Sequence, residues 1–529
     1  MTPASTEASP AQMGPAFRRG KLDGINEILW AAALILLPIT SSPLLIKLTG
    51  TLVAPPSMIL IGLLLILFLL PRIRRGGSLP LEAAPLFIFV LIALLSTGLS
   101  FFIHIPTFKN ANMWKEALEA LITLGMGISV FLIASTLPAS EEDFRKALRW
   151  MTIGGIAMVI FSLVQAFYIF VMKTQFSSWY IWFEETFITP RPFSRELQRL
   201  YGMAFEPSWF THQLVMLYIP IWVAASFQKI SAFKMRVFRL SLENILLAIS
   251  LLLFMLAKPR VSLLAGLLIF AFIFIKLNSG LYRWLQQRLQ RRHPPLTSFA
   301  ANWQRFGIIA GMAALYLALA AGLIWIMKQD YRLALVFTYP PTPAEMGRLL
   351  QLDEKTIVEI SKRFRFMERA VYWLSGWRVF SDYPLFGVGL GNSGFFFGEN
   401  VSSLGWTSIE VRYLLTGAPF LPNIKSLWVR LLAETGMLGF SIFSAWLIGL
   451  WRSTAFTLQS RLPYHRLTAF ACQIMLVAFI AEGFSIDSFA LPYLWVAAGL
   501  AAAAGASLRA SALPRMVNST IDPGKPNNF

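Results

Sequence analysis

The segment 368–394 combines basic, aromatic and glycine residues at spacings that could bind an anion. Arg369 and Trp373 are four residues apart, so in a helix they would share a face and the indole could brace the guanidinium. Gly389 and Gly391 follow in a glycine-rich turn, where backbone amides can point at an anion. A planar guanidinium binds phosphate oxygens through two hydrogen bonds at once. The segment therefore predicts an ordered polar element with groups that could bind an anion.

The composition of the chain indicates a membrane protein. Hydrophobic residues make up 56% of the 529 positions and charged residues only 14%, and the mean hydropathy is +0.61. These values are too apolar for a soluble chain of this length. The single cysteine, Cys472, excludes an internal disulfide, and the four scattered histidines make a zinc site improbable. We therefore predict an all-α, polytopic membrane protein without a metal or other cofactor.

Apolar stretches long enough to cross a bilayer, roughly 17 to 25 residues each, predict about twelve transmembrane helices. They lie at 28–48, 52–71, 82–103, 114–137, 148–173, 207–228, 243–257, 261–278, 306–328, 425–451, 466–485 and 490–508. The predicted organisation is a cytoplasmic tail, nine spans, an extracytoplasmic loop, three spans and a second cytoplasmic tail, at 1–27, 28–328, 329–422, 423–508 and 509–529.

The basic residues orient these spans, because short cytoplasmic loops are enriched in lysine and arginine. With the N-terminus inside, basic clusters fall in the cytoplasmic loops at 72–75, 145–149, 229–239 and 283–292. The net charge of +19 is then mainly a signal of topology and of contact with anionic lipid, and it does not indicate a nucleic-acid partner. The segment 368–394 falls outside, and so does a short turn that contains Arg260.

The long loop has the signals of a folded helical segment. Thr342 and Glu345 form a capping box with proline at the first helical position, which predicts a helix start. Asp353 could cap a second helix, whose apolar residues recur every three or four positions as far as Leu374. That helix should end near Asp382, because the residue before a proline is disfavoured in the helical region.

Four ordered segments carry a resemblance to a known family. The first has Arg369 four residues before Trp373, then eleven residues on to Pro384, then the letters PLFGVGLG. The other three read RLYGMAFEPSWFTHQL, LAKPRVSLLAGLL and NIKSLWVRLLAETGMLGF, at 199–214, 256–268 and 423–440. This pattern is similar to the hallmark of the O-antigen ligase and O-antigen polymerase superfamily, over roughly the second half of the chain.

The resemblance implies a glycosyltransferase of the GT-C type in the bacterial inner membrane. Such enzymes take an undecaprenyl-diphosphate-linked glycan as donor and a glycan as acceptor, on the extracytoplasmic face. The partners implied are these two substrates, the bilayer, and a chain-length regulator or other polysaccharide-assembly proteins. Arg260 and Arg369 match two arginines that look essential in the family, where they would compensate the charge of the diphosphate leaving group without a metal.

The matched segments contain further candidates. Glu206 precedes a proline at the outer end of a span, where it could accept a proton from an acceptor hydroxyl or hold an arginine. An ordinary carboxylate at a helix N-terminus is an equally good interpretation. His212 lies within that span, where a structural hydrogen bond is the simpler role and substrate contact the other. Asn423, which opens the last matched segment, is a further substrate-binding candidate, and so is Trp373. Arg378 fits a loose arginine-to-glycine spacing of low information.

Lys425 marks a departure from the ligase pattern, because ligases carry a histidine there, followed by an asparagine where this chain has Ser426. That histidine is usually taken as the base that activates the acceptor. A charged lysine would instead bind phosphate or sugar oxygens. The departure favours an O-antigen or exopolysaccharide polymerase. The alternatives are a ligase with a lipid or protein acceptor and a flippase for lipid-linked oligosaccharide. A flippase should show two related halves and charges near the bilayer midplane, which this sequence lacks.

Overall fold

The computed structural model describes residues 21–49, 53–190, 199–233, 235–257, 261–292 and 331–519, with scattered positions between 303 and 328. The structure is mostly helical (74%), and the strands of the described part, β1 (Arg236–Val237) and β2 (Leu240–Ser241), form one short antiparallel hairpin. The prediction of an all-α protein is therefore confirmed.

The described helices of the first part of the chain are α1 (Lys21–Ile35), α2 (Pro43–Thr49), α3 (Pro56–Arg74), α4 (Ala83–Phe102), α5 (Met113–Thr136), α6 (Glu141–Val171), α7 (Ser178–Phe183), α8 (Pro207–Gln228), α9 (Leu242–Leu256) and α10 (Val261–Arg292). The described helices of the second part are α11 (Tyr331–Thr338), α12 (Pro343–Leu350), α13 (Glu354–Arg363), α14 (Met367–Asp382), α15 (Phe397–Asn400), α16 (Ile409–Thr416), α17 (Leu427–Thr457), α18 (Pro463–Glu482) and α19 (Pro492–Ser519).

Among the described residues, nine helices are long and apolar enough to cross a membrane. They are α3, α4, α5, α6, α8, α17, α18, most of α19 and the first part of α10, and each overlaps one predicted span. The predicted span at 243–257 corresponds to α9, a shorter apolar helix. The predicted span at 306–328 falls mostly outside the described residues. These helices indicate a multi-pass membrane protein.

The prediction of one continuous helix at 28–48 is wrong. Helix α1 ends at Ile35 and α2 begins at Pro43, so a break of seven residues lies between them. A break among apolar helices needs partners for its backbone groups. The carbonyl of Pro38 accepts a hydrogen bond from Gln213 Nε2 (2.9 Å), and the hydroxyl of Thr40 accepts one from the amide of Phe205 (2.9 Å). The broken helix thus packs on α8 and the residues that precede it.

Contacts between helix termini define two ends of the bundle. Glu82, at the start of α4, accepts a hydrogen bond from Ser453 near the end of α17 and pairs with Arg509 of α19 (2.8 Å). Glu141, at the start of α6, contacts His465 at the start of α18 (3.0 Å). We call this the basic end, because Arg509 lies here and the basic cluster at 145–149 is in the first turns of α6.

The opposite end carries the segment 331–426, and we call it the loop end. Here the last turns of α4 contact the residues around the start of α17. Ser96 Oγ donates to the carbonyl of Glu434 (2.7 Å), and Asn392 Nδ2 donates to Ser100 Oγ (3.2 Å). The second half of α17 packs in the bundle core, where the buried rings of Trp446 and Trp495 stack 5.5 Å apart. The loop end therefore rests on well-packed helices.

The loop helices begin where their capping residues predict. Thr342 and Glu345 form the capping box of α12, and the Asp353 carboxylate accepts from the amide of Thr356 (2.9 Å) at the start of α13. The prediction of one helix from Asp353 to Asp382 is wrong in its middle. Helix α13 ends at Arg363 and α14 begins at Met367, because Arg365 adopts a left-handed conformation (φ 58°) that ends a helix. The end of α14 at Asp382 is as predicted.

Acid should loosen the contact between α12 and α13. Hydrogen bonds from Arg363 and from the Thr342 backbone lower the pKa of Glu345 from 4.5 to about 2. A lowered folded-state pKa contributes stability that is complete above about pH 4.5 and is lost as pH falls through about 2. Hydrogen exchange of α12 amides in the full-length protein should therefore quicken relative to other loop amides over this window. Glu345→Gln should remove that dependence, and an unchanged profile in the variant would contradict the assignment.

Candidate functional site

Three of the residues that the sequence singles out meet at the loop end. Arg369, half-buried in the first turn of α14, donates from Nη1 to the carbonyl of Lys425 (3.4 Å), 56 positions away in the chain. The amide of Lys425 donates to Asn423 Oδ1 (3.2 Å). Lys425 itself has a φ of 57°, which is uncommon for a residue with a Cβ. A tight turn therefore brings the backbone of one candidate cation to the side chain of the other.

The turn at Lys425 is anchored on the end of α18. Ser426 caps α17 by accepting from the amide of Val429 (3.4 Å), and its hydroxyl donates to the carbonyl of Gly483 (3.2 Å). The amide of Leu427 donates to the same carbonyl (2.8 Å). The hydroxyl of Ser426 and the amide of Leu427, at the start of α17, thus both have a hydrogen-bond partner. This fixes the orientation of the preceding residue, Lys425.

His212 lies in the interior of the bundle. Its ring pairs with the carboxylate of Glu482, the last residue of α18, and the two side chains are 2% and 0% exposed. Glu482 directly precedes Gly483, so this pair connects α8 to the residue on which the start of α17 rests. This contact in the interior gives His212 a structural partner. Its role in substrate binding stays a prediction.

Glu206 occupies the N-cap position of α8 and is half-exposed, with one oxygen accepting from Ser208 Oγ (3.1 Å). Five residues further on, Thr211 Oγ1 is hydrogen-bonded to Ser262 Oγ (2.8 Å) in the first turn of α10. Arg260 precedes that turn and lies outside the described residues. The structure therefore joins the helix that begins just after Glu206 to the start of the helix that follows Arg260.

Trp373 does not brace Arg369. Its ring packs against that of Phe484, with centroids 5.5 Å apart and an angle of 56° between the planes. In the part of the chain that the structure describes, no cation–π contact involves Arg369. Phe484 directly follows Gly483, whose carbonyl accepts hydrogen bonds from the start of α17. The indole of Trp373 therefore links α14 to the same segment. Trp373 thus positions the helix that bears Arg369.

Arg378 is engaged in packing within the loop. Its guanidinium forms an ion pair with Glu354 at the start of α13 and donates to the carbonyl of Asn400 at the end of α15 (2.9 Å). These contacts join three loop helices. The guanidinium therefore has a structural role that the arginine-to-glycine spacing did not indicate.

The glycine-rich turn after α14 is a packing element. The amides of Val388, Gly389 and Leu390 donate to the carbonyl of Ala433 (2.9 Å), the carbonyl of Glu434 (3.0 Å) and Thr97 Oγ1 (3.1 Å). The prediction that amides of this turn bind an anion is wrong for these three.

Gly389 and Gly391 are explained better by the lack of space for a side chain than by the predicted role in anion binding. A Cβ on Gly389 would lie 2.9 Å from Asn392 Nδ2, and one on Gly391 would lie 2.5 Å from the carbonyl of Glu116. Both glycines also have positive φ, at 88° and 80°. They allow the turn to lie directly against α4, α5 and α17.

Arg430 is a site residue that the sequence interpretation missed. On the first turn of α17, it donates from Nε to the buried carboxylate of Glu434 (3.0 Å) and from Nη1 to the carbonyl of Asp487. The other oxygen of Glu434 accepts from Ser393 Oγ (2.8 Å). The spacing of four between Arg430 and Glu434 was the available signal. The side chains are 16% and 2% exposed, so they form a buried ion pair beside the site.

Arg430→Ala should destabilise the protein by about 3–5 kcal/mol, because Glu434 would keep a buried charge without its partner. The double variant Arg430→Met with Glu434→Met should recover much of that loss, since it removes both charges. Thermal unfolding of the purified protein in detergent measures both. A single variant as stable as wild type would show that the pair is solvated and not buried.

No protein-family model matches this sequence, and no curated protein matches it. The function must therefore be argued from the site itself.

Two basic residues, Arg369 and Lys425, meet at the loop end, where the Arg369 guanidinium contacts the backbone carbonyl of Lys425. Within the described ranges, no three His, Cys, Asp or Glu side chains are grouped as metal ligands would be. Guanidinium and ammonium groups are suited to compensating negative charge.

Proposed function

We propose that this protein transfers a glycan from a lipid-diphosphate donor to a sugar hydroxyl, as a polymerase-like inverting glycosyltransferase on the extracytoplasmic face of the bacterial inner membrane. The observation that carries the proposal is the contact between Arg369 and Lys425. The two residues belong to different matched segments of the superfamily pattern, and the fold joins them at the loop end. The full topology that we propose has twelve spans with both termini inside.

Charge placement supports this reaction class. The loop end lies opposite the basic end, so positive charges there run against the bias that orients the chain. A lipid diphosphate presents its charge at the membrane surface, where Arg369 and Lys425 would meet it. The left-handed conformation of Lys425 (φ 57°) adds a second argument, because strained backbone clusters at functional sites.

In the proposed reaction, an acceptor hydroxyl attacks the anomeric carbon while the bond from that carbon to the diphosphate oxygen breaks. The electron pair of the broken bond stays on the diphosphate, and Arg369 and Lys425 compensate the added charge. The hydroxyl proton passes to a base, for which Glu206 is our candidate. Arg260 is proposed as a further ligand of the diphosphate. A single displacement inverts the anomeric configuration, and no metal or nucleotide cofactor takes part.

The polymerase is preferred to the ligase because of Lys425. A lysine at this position, in place of the ligase histidine, is suited to holding phosphate or sugar oxygens. Ser426 is used for capping α17 and contacting Gly483, so it has a structural role at the position of the ligase asparagine.

A reconstituted assay tests the function. The purified protein in proteoliposomes receives a synthetic undecaprenyl-diphosphate oligosaccharide, and products are resolved by size. Chains longer than the donor support the polymerase. Transfer to an added lipid or protein acceptor would instead support the ligase, and movement of the lipid across the bilayer without bond formation would contradict both enzymes.

A further inference from the structure

A groove lies beside the first turn of α14, between that turn and the segment 407–413. Its volume is about 760 Å³, within the range of roughly 300–1,000 Å³ that is usual for ligand sites. The side chains that matter for its chemistry are Lys362, Glu368, Ser408, Ile409, Glu410 and Tyr413. We call it the α16 groove, after the helix that contributes Ile409 and Tyr413.

Hydrogen bonds hold the polar side chains of the groove in place. Tyr372, which is buried, donates from its hydroxyl to Glu410 Oε1 (2.7 Å). Ser408 Oγ donates to Glu368 Oε1 (3.1 Å). A carboxylate can accept about four hydrogen bonds, so both glutamates keep capacity for hydroxyl donors of a ligand. Burial and Glu410 raise the pKa of Tyr372, which keeps this tyrosine a donor.

The groove also presents exposed apolar surface. Tyr413 is 56% exposed and Ile409 is 78% exposed on the same helix. An exposed tyrosine offers a flat apolar face and a polar tip. Sugar rings have a matching combination of surfaces, with C–H groups on one face and hydroxyls around the rim.

The charges of the groove nearly cancel. Lys362 and Arg365 carry positive charge, and Glu368 and Glu410 carry negative charge. A phosphate or a nucleic acid would meet both carboxylates, at an energetic cost. A ligand rich in hydroxyls and with little net charge fits these side chains better. A flat aromatic face, carboxylates that can accept hydrogen bonds from hydroxyls, and balanced charge together favour an oligosaccharide as the ligand.

The position of the groove relates it to the proposed reaction. Glu368 lines the groove, and the next residue, Arg369, contacts Lys425. Consecutive helical residues point about 100° apart, so the groove and the cation site lie on two sides of one helical turn. We propose that the α16 groove binds sugar units of the glycan chain next to the reacting end. This inference rests on the proposed function, of which it specifies the second substrate contact.

The test measures binding of free glycan by the full-length protein in nanodiscs. The probe is a set of oligosaccharides of two or three repeat units, released by mild acid from the cell-surface polysaccharide of the host. Saturation-transfer NMR with titration gives the affinity. Tyr413→Ala should weaken binding at least tenfold, whereas Tyr413→Phe should retain it because the ring is kept. Arg412→Ala, an exposed neighbour outside the groove, is the matched control and should bind as wild type does.

Two comparisons separate this inference from the proposed function. Arg369→Ala should still bind the free oligosaccharide while losing transfer, because the diphosphate is absent from the probe. Transfer that persists in Arg369→Ala would contradict the function and leave the binding result standing. Wild-type protein that does not bind the oligosaccharide, or Tyr413→Ala that binds it with unchanged affinity, would overturn the groove assignment.

Discussion

Replacing Arg369 by alanine should abolish glycan transfer while the protein remains abundant and inserted in the membrane. Loss of one preorganised donor to a developing negative charge typically lowers a rate by about 10²- to 10³-fold, and here the donor is a full positive charge. Arg369→Lys should restore only part of the activity, because an ammonium cannot make the two parallel hydrogen bonds of a guanidinium. The measurement is product formation in proteoliposomes at matched protein content.

Two variants serve as controls for this prediction. Arg348→Ala removes an exposed arginine from α12, elsewhere in the loop, and should keep wild-type activity. Lys425→Asn removes the ammonium but retains a residue that tolerates a left-handed backbone, so it should lower activity while the carbonyl contact to Arg369 persists. Activity of Arg369→Ala within a few-fold of Arg348→Ala would show that the guanidinium does not act on the substrate.

Local features of the loop could be predicted from the sequence because their causes are local. The capping box of Thr342 and Glu345 and the N-cap of Asp353 depend on contacts three residues apart. The end of α14 depends on Pro384, two residues beyond Asp382. The break at Arg365 escaped prediction because its flanking residues continue the helical period, and arginine gives no signal of a left-handed backbone.

Contacts between distant segments could not be predicted. The pair of His212 with Glu482 and the bond from Gly389 to Glu434 join residues that share no spacing pattern. The sequence placed Arg369 and Lys425 in one site only through the family resemblance, since nothing local requires a loop helix to lie against the start of α17. Arg430 was missed because it lies near the end of the predicted span at 425–451, where a basic residue is readily explained by the membrane surface.

Helix α14 is fixed to α17 and to the residues just before α17 by contacts at three points. These contacts explain how a loop helix can hold a guanidinium in place. At its start, Arg369 contacts Lys425. At its middle, Gly376 leaves no room for a Cβ, which would lie 2.7 Å from Ile424 and 2.8 Å from Val429. After its end, the glycine-rich turn bonds to a break in α17 at Gly436. The break at Gly436 thus helps to position the cation site, although the break itself lies outside that site.

Gly436→Ala should therefore be strongly destabilising. Gly436 has φ 64° and ψ −168°, a region that is essentially restricted to glycine and costs other residues about 1–3 kcal/mol. A Cβ would also overlap the carbonyl of Leu385 in the turn. The amides that follow the break, of Met437 and Leu438, donate to the carbonyls of Pro384 (2.8 Å) and Leu385 (3.3 Å), so the turn cannot retreat without losing both bonds. We expect destabilisation by about 3 kcal/mol or more.

Gly449→Ala is the matched control, in the same helix and thirteen positions later. It has nothing within 4 Å of its added Cβ, and in a regular helix alanine is favoured over glycine by about 0.5–1 kcal/mol. Thermal unfolding in detergent, followed by size-exclusion chromatography, should therefore show a loss for Gly436→Ala and a neutral or small gain for Gly449→Ala. The two variants differ only in backbone conformation and packing, so equal stability would show that α17 is continuous at Gly436. In that case the turn would have to be held to α17 by other contacts, and the geometry of Arg369 would no longer depend on the break.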